Sequence, residues 1–375
     1  MNKSLATLRL LTIMFVLAAI AVLAVLIVVH ELGHFAAARL QNIHVNRFSI
    51  GFGPVLLKYQ GTETEYALRA FPLGGFVGFP DDDPDSEIPP DDPDLLRNRP
   101  ILDRAIVISA GVIANLIFAY FVLAGQAAVI GIPQGFTYEP GVTVTQVITQ
   151  DSPAAQADLR MGDTIIAIDS QPLPASDEAA ITLKDVIENS PNQPLSLTVQ
   201  RNDNQLDLTV TPDDKGGKGR IGIGLAPNRL VTRERPQNIL QAFSVGAEQF
   251  QRITALTVQG FGRLISNFGE TATQVAGPVA IVDIGAKMAQ TDASSLFQFG
   301  ALISINLAII NILPLPALDG GQLAFLLIEG VRGKPLPNRV QESIMQTGLV
   351  LLLGLGMFLI IRDTANLDVF QQLFQ

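Results

Sequence analysis

With 375 residues, 48% of them hydrophobic and only 16% charged, and a mean hydropathy of +0.35, the chain is too apolar for an ordinary soluble protein and calls for lipid-buried segments. A net charge of −10 argues against a nucleic-acid partner, whose phosphates it would repel. The absence of cysteine excludes disulfides and thiolate metal sites alike.

The first element is the uncharged run Leu10–Val29, about the 20 residues an α-helix needs to cross a hydrocarbon core of roughly 30 Å. Lys3 and Arg9 precede it as in a signal peptide, but it continues into "VVHELGHFAAARL" with no polar cleavage region, so it reads as a span. His30 and His34, four positions apart, share one helix face and can reach one ion. Glu31 stands beside them, placed to take a proton from water activated by that ion. Zinc held by nitrogen and carboxylate ligands, with one position left for water, is the catalytic arrangement. The plainer alternative, polar residues that merely end the span, is opposed by the cost of three ionisable groups within five residues of an apolar segment.

The next stretch, "RFSIGFGPVLLKYQGTETEYALRAFPLGGFVGF", alternates and is rich in glycine, which predicts a hairpin or membrane-associated β element. "PDDDPDSEIPPDDPD" after it reads as a flexible, solvated acidic loop rather than a metal site. A second span is expected over Ala105–Ile132. A polar insert, roughly 137–295, is large enough for a domain of its own. In it "GVTVTQVI", "DTIIAI", "PLSLTVQR", "QLDLTVTP" and "RIGIGL" are strand-like runs between Gly, Pro and Asp turns, interrupted by helical pieces near Pro153–Leu159 and Asp177–Asn189. The order "VTQVITQDSPAAQADLRMGDTIIAIDSQPL" resembles a circularly permuted PDZ domain over about residues 140–226, and such domains bind peptides by strand addition. "PQNILQAFSVGAEQFQRITALTVQGFGRLIS" then has the spacing of an amphipathic helix, lying in the interface or bundled against the spans.

The third apolar run, Leu296–Ile328, contains Asp319, the only acid between Asp292 and Glu329. Unpaired there it would be expensive, and ligating zinc would resolve the cost. His44, ten positions past His34 among polar residues, fits the helix face poorly. Pro314, Pro316 and the pair Gly320–Gly321 should break the helix, as backbone lining a cavity allows. Asn306 and Asn311 in the same run serve either as interhelical glue or as amides that hold an unwound substrate. A short fourth run, Gly348–Ile361, completes the set. Arg39, Arg47, Lys58, Arg69, Arg97, Arg99 and Arg104 after span one, with Arg332, Lys334 and Arg339 after span three, make both connections cytoplasmic and the insert extracytoplasmic.

Taken together, "VVHELGHF", "GFGP", "AGPVAIVDIG" and "NLAIINILPLPALDGG" resemble the site-2 protease family of intramembrane zinc metalloproteases, in its bacterial four-span form with a PDZ insert. The resemblance implies Zn2+ held by His30, His34 and Asp319, Glu31 as general base, and Asn306 and Asn311 in contact with substrate or the extracytoplasmic domain. It implies single-span membrane protein substrates, such as anti-sigma-factor-like proteins or signal-peptide remnants, and a multi-pass protein of a bacterial inner membrane. In the second span, "SAGVIANL" keeps the family's Gly111 and Asn115 but has Val112 in place of a proline. The expected fold is a polytopic α-helical membrane protein of about four spans with an inserted α+β PDZ domain. Spans one and two with their cytoplasmic loop would occupy 1–136, the PDZ domain 137–226, a linker with the amphipathic helix 227–295, and spans three and four 296–375. A membrane-anchored PDZ scaffold with a structural metal is the alternative of another class; a zinc transporter is a third.

Overall fold

The computed structural model describes residues 2–83, 86–147, 151–201, 204–267, 269, 275–292 and 294–365. Residues 84–85 of the acidic run and 148–150 of the first predicted insert strand lie outside these. The chain divides into two compact units, Met1–Ile130 with Arg235–Gln375, and Gly131–Glu234.

The first unit is helical. Four of its helices are long and apolar enough to cross a membrane: Ile13–Leu40 of helix α1 (Asn2–Leu40), α2 (Ile101–Ile130), α7 (Ser295–Ile312) and α9 (Asn338–Ala365). Helix α1 does not stop at Val29 but carries the histidine motif within its regular turns. The third run is not one helix, because Pro314 and Pro316 lack the N–H groups that would continue it. Helix α7 ends at Ile312, Ala317 turns left-handed at φ 66°, and α8 (Asp319–Arg332) starts on the aspartate itself. The short fourth run is extended to 28 residues by the mixed segment 338–347 before it and by 362–365 after it. The amphipathic segment forms α5 (Ile239–Ser266), which buries Ala242, Gly246 and Thr257, and packs on α2 and α7 rather than standing alone. Helix α6 (Pro278–Thr291) follows, its first turn receiving the Asp363 carboxylate at the Ala280 N–H (3.1 Å).

Strands β1 (Arg47–Gln60) and β2 (Glu65–Gly78) are more than a hairpin. Pairs such as Lys58↔Ala67 and Tyr59↔Tyr66 run antiparallel around the turn. The first residues of β1 pair twice, in parallel through Phe48↔Tyr66 and Ile50↔Leu68, and antiparallel through Ser49↔Phe76 and Ile50↔Gly75. Each strand is bent, so two strands make four rungs in the order 75–78, 47–50, 65–69, 55–60. Gly51 and Gly53, at φ 87° and 85°, supply the bend that a residue with Cβ would resist. Phe35 of α1 stacks edge-on against Phe48 and Tyr66, fixing the sheet to the helix.

The acidic run, expected as a flexible loop, is pinned by several bonds. Asp83 accepts from Asn46 Nδ2 (3.0 Å), Asp81 from the Arg97 N–H (3.3 Å), and Asp94 from Arg99 (3.0 Å), while Leu95 is buried beneath them. Negative charge distributed over basic partners no longer repels itself.

The second unit is α+β. Its sheet runs β10 (Ile223–Glu234), β3 (Ile132–Val147), β4 (Thr164–Ile168), β6 (Leu195–Arg201), β7 (Asn204–Val210), with α3 (Pro153–Gln156) and α4 (Glu178–Glu188) covering a core that includes Val142, Ile165, Leu183, Leu197 and Val199. Of the two-residue strands, β5 (Gln171–Pro172) joins this sheet by pairing with β4, while β8 (Asp213–Asp214) and β9 (Gly219–Arg220) form a separate two-stranded sheet. The buried Asp163 of the "GD" turn receives the Arg201 guanidinium through two bonds of 2.8 Å. The unit is wider than the 137–226 expected, because β3 and β10 pair out to Ile132↔Glu234.

Candidate metal centre

Helices α1 and α8 of the first unit deliver the candidate ligands. With 3.6 residues per turn, His30 and His34 of α1 fall on one face, and their Nε2 atoms stand 3.2 Å apart. Asp319 Oδ2 lies 3.2 Å from the first and 3.4 Å from the second. Zinc bonds of about 2.0–2.1 Å to nitrogen or oxygen separate tetrahedral ligand atoms by about 3.3 Å. The three edges of this triangle therefore match the donor set of a zinc ion, and Asp319 Oδ2 is buried with no partner among the described residues besides the two imidazoles, a costly state unless a cation meets it.

The ring orientations agree with that role. His34 Nδ1–H donates to the Val107 carbonyl of α2 at 2.8 Å, which leaves Nε2 as the free lone pair. Asn115, fully buried one turn beyond Gly111 on the same helix, stands with its Nδ2 3.5 Å from His30 Nδ1, and its own Oδ1 has no partner among the described residues. With the amide turned over, Oδ1 accepts the Nδ1–H and fixes His30 in the same tautomer. Ser304 Oγ–H of α7 donates to the main-chain carbonyl of Asn115 (2.8 Å). Replacing Asn115 by leucine should keep the fold and weaken zinc binding about 10- to 100-fold, the usual cost of losing a partner of a ligating histidine; competition with a chromogenic chelator measures it.

Two glycines make room. A Cβ on Gly111 would collide with His34 Nε2 and stand 2.7 Å from His30 Cε1, and one on Gly75 would come within 2.8 Å of Glu31 Cγ. Rung 75–78 of the β element therefore lies directly on Glu31, which is 9% exposed.

The structure brings His30, His34, Asp319 and Asn311 together, the last with Nδ2 3.3 Å from His30 Nε2. It does not bring Asn306 there. Five positions earlier on α7, it stands about 140° round the helix from Asn311, and it has no hydrogen bond among the described residues. Val107 carries no sequence signal, since its backbone carbonyl does the work; Gly111 and Asn115 do carry one, the same four-residue spacing as the histidines they face. A second group, His44, Asp92 and Asp94, gathers in the acidic loop, but Arg99 already supplies a cation to Asp94.

Comparison with known proteins agrees with the geometry. A family profile described as peptidase family M50 matches residues 18–355. A protein of Nostoc sp. whose name includes "zinc metalloprotease" is 65% identical over 367 residues, covering 96% of this chain and all of its own. The chloroplastic membrane metalloprotease ARASP of Arabidopsis thaliana is 47% identical, over 96% of this chain and 80% of its own. The regulator of sigma-E protease RseP of Salmonella typhimurium is 31% identical, over 89% and 95%. Among solved structures, the PDZ domain of an SdrC-like protein from Listeria innocua is 27% identical over 23% of this chain and 92% of its own, with a TM-score of 0.20.

Proposed function

The chain belongs to peptidase family M50 and is a membrane metalloendopeptidase whose cofactor is zinc; on that premise we propose that it hydrolyses peptide bonds inside the membrane spans of single-span proteins. The observation that carries this reading is the Nε2, Nε2, Oδ2 triangle of His30, His34 and Asp319 with Glu31 next to it, on helices that can cross a bilayer.

The zinc held there would polarise the scissile carbonyl and lower the pKa of water. Glu31 takes the proton from that water and returns it to the departing amide nitrogen. Helical hydrogen bonds shield a substrate carbonyl, so the substrate must unwind locally. The outer edge of rung 75–78, unpaired among the described residues and in contact with Glu31 through Gly75, can receive the unwound backbone as an added strand. Asn311, beside His30, can hold a substrate carbonyl or N–H at the cleavage point, and Asn306 a segment farther along. The Arg and Lys residues of the β element and of the α8–α9 connection favour a cytoplasmic location for both, with unit 131–234 on the opposite side. That unit is read as a PDZ domain that docks or filters substrates already shortened there, anti-sigma-factor-like proteins or signal-peptide remnants.

The test is cleavage of a helical single-span reporter by the full chain in detergent, with products mapped by mass spectrometry. Cuts within the span that stop on chelation and return with zinc are expected. Cuts confined to the reporter's soluble flanks, or indifferent to chelation, would overturn the reading and favour a scaffold.

A further inference from the structure

Helix α2 touches both halves of the metal centre. Its residues Val107, Gly111 and Asn115 meet the two histidines, and they lie three, seven and eleven positions after Arg104, a spacing that keeps all four on one helix face. Arg104 thus continues the histidine-facing stripe by one turn. Its guanidinium binds the Glu329 carboxylate through two bonds, Nη1 to Oε2 at 3.0 Å and Nη2 to Oε1 at 2.5 Å, across 225 positions of sequence. Both side chains are 15% exposed. Glu329 is on α8, ten residues and so about 15 Å along the axis from Asp319.

Helix α8 is therefore attached to the rest of the unit at two separated points. Its first residue is a metal-centre carboxylate, and its third turn is fastened to the helix that orients the imidazoles. The 14-residue helix, entered through the irregular turn at Pro314–Leu318, is held on the unit by the close packing of Gly320 and Gly321 against residues 312–315 and by buried Leu326; sliding along its axis and rotation about it are the movements left for polar anchors to fix. Two attachments fix both movements. A buried ion pair is a poor device for stability, because desolvation offsets the attraction and an apolar pair of similar size holds as well. What a bidentate Arg–carboxylate pair adds is directional geometry.

We propose that Arg104 and Glu329 are positioning residues that set the register of α8 against α2, so that Asp319 meets His30 and His34 at zinc-ligand distances. The inference rests on the reading of those three residues as zinc ligands. It concerns neither proton transfer nor substrate contact.

The experiment uses the full chain in detergent with two double variants, Arg104→Leu with Glu329→Leu, and the exchange Arg104→Glu with Glu329→Arg. The apolar double avoids a lone buried charge and should melt as the wild type does. Zinc affinity is read by chelator competition, and ligand geometry by the visible absorption bands of the cobalt-substituted protein. The expected result is zinc binding weakened about tenfold in the apolar double, at the lower end of the effect of outer-shell changes, with altered cobalt bands, and recovery of both in the exchanged pair. Wild-type affinity and bands in the apolar double would overturn the proposal, as would an exchanged pair no better than the apolar one. Asp319→Asn, measured alongside, separates the premise: if it binds cobalt as the wild type does, the ligand assignment itself fails.

Discussion

Replacing Glu31 by glutamine is expected to lower cleavage of a single-span reporter by about 10³-fold while zinc content stays at the wild-type level, since positioned proton transfer contributes 10²–10⁴-fold. Glutamine keeps the size of the side chain, so the contact with Gly75 and the packing of the β element survive. It cannot take a proton from water, so what is lost is chemistry alone. Reporter turnover and bound zinc measured on the same preparation make the comparison. Turnover within a few-fold of wild type would remove Glu31 from the base role; loss of zinc along with turnover would mean that it organises the site rather than acting in it.

Gly111→Ala is expected to be nearly as damaging, by a different route. The added methyl would overlap His34 Nε2 and sit 2.7 Å from His30 Cε1, far inside the roughly 3.5–4.0 Å of a relaxed contact. Both rings are tied from behind, His34 to the Val107 carbonyl and His30 to Asn115, so neither can retreat without giving up its tautomer. Zinc content should fall to a small fraction of stoichiometric and cleavage with it. Gly125→Ala on the same helix is the control, because nothing lies within 4 Å of its added carbon and alanine favours a helix over glycine by about 1 kcal/mol. Equal zinc in the two variants would show that the imidazoles are not confined by α2.

How far the sequence could be read follows from what each feature costs. Histidines, a glutamate and Asp319 in apolar runs announce themselves because such groups need a reason to be there, and the structure brings His30, His34 and Asp319 within a few ångströms of one another, as the proposed ligand set requires. The break after Ile312 was equally plain from two prolines. Asn306 and Asn311 looked alike in sequence, and only the helix period, anchored by a known contact, separates them. The β element was legible as strands but not as four rungs, because pairing of 47–50 with both 65–68 and 75–78 depends on bends that alternation does not encode. The acidic run misled for a related reason: its charge density suggested solvation, whereas Asn46, Arg97 and Arg99, far off in sequence or hidden among basic residues counted only for orientation, supply its partners.

On the proposed ligand set, the wide separation of the two histidines from Asp319 also bears on when the enzyme becomes able to act. A ribosome delivers α1 and α2 early and α8 only near the end, and at about 5–20 residues per second the 285 positions from His34 to Asp319 amount to some tens of seconds. Throughout that interval the nascent chain lies among other half-inserted spans with two imidazoles but no carboxylate to complete the triangle. On the proposed ligand set, synthesis order delays a complete metal centre until the membrane domain is nearly whole, and a chain terminated before α8 is expected to cleave no reporter.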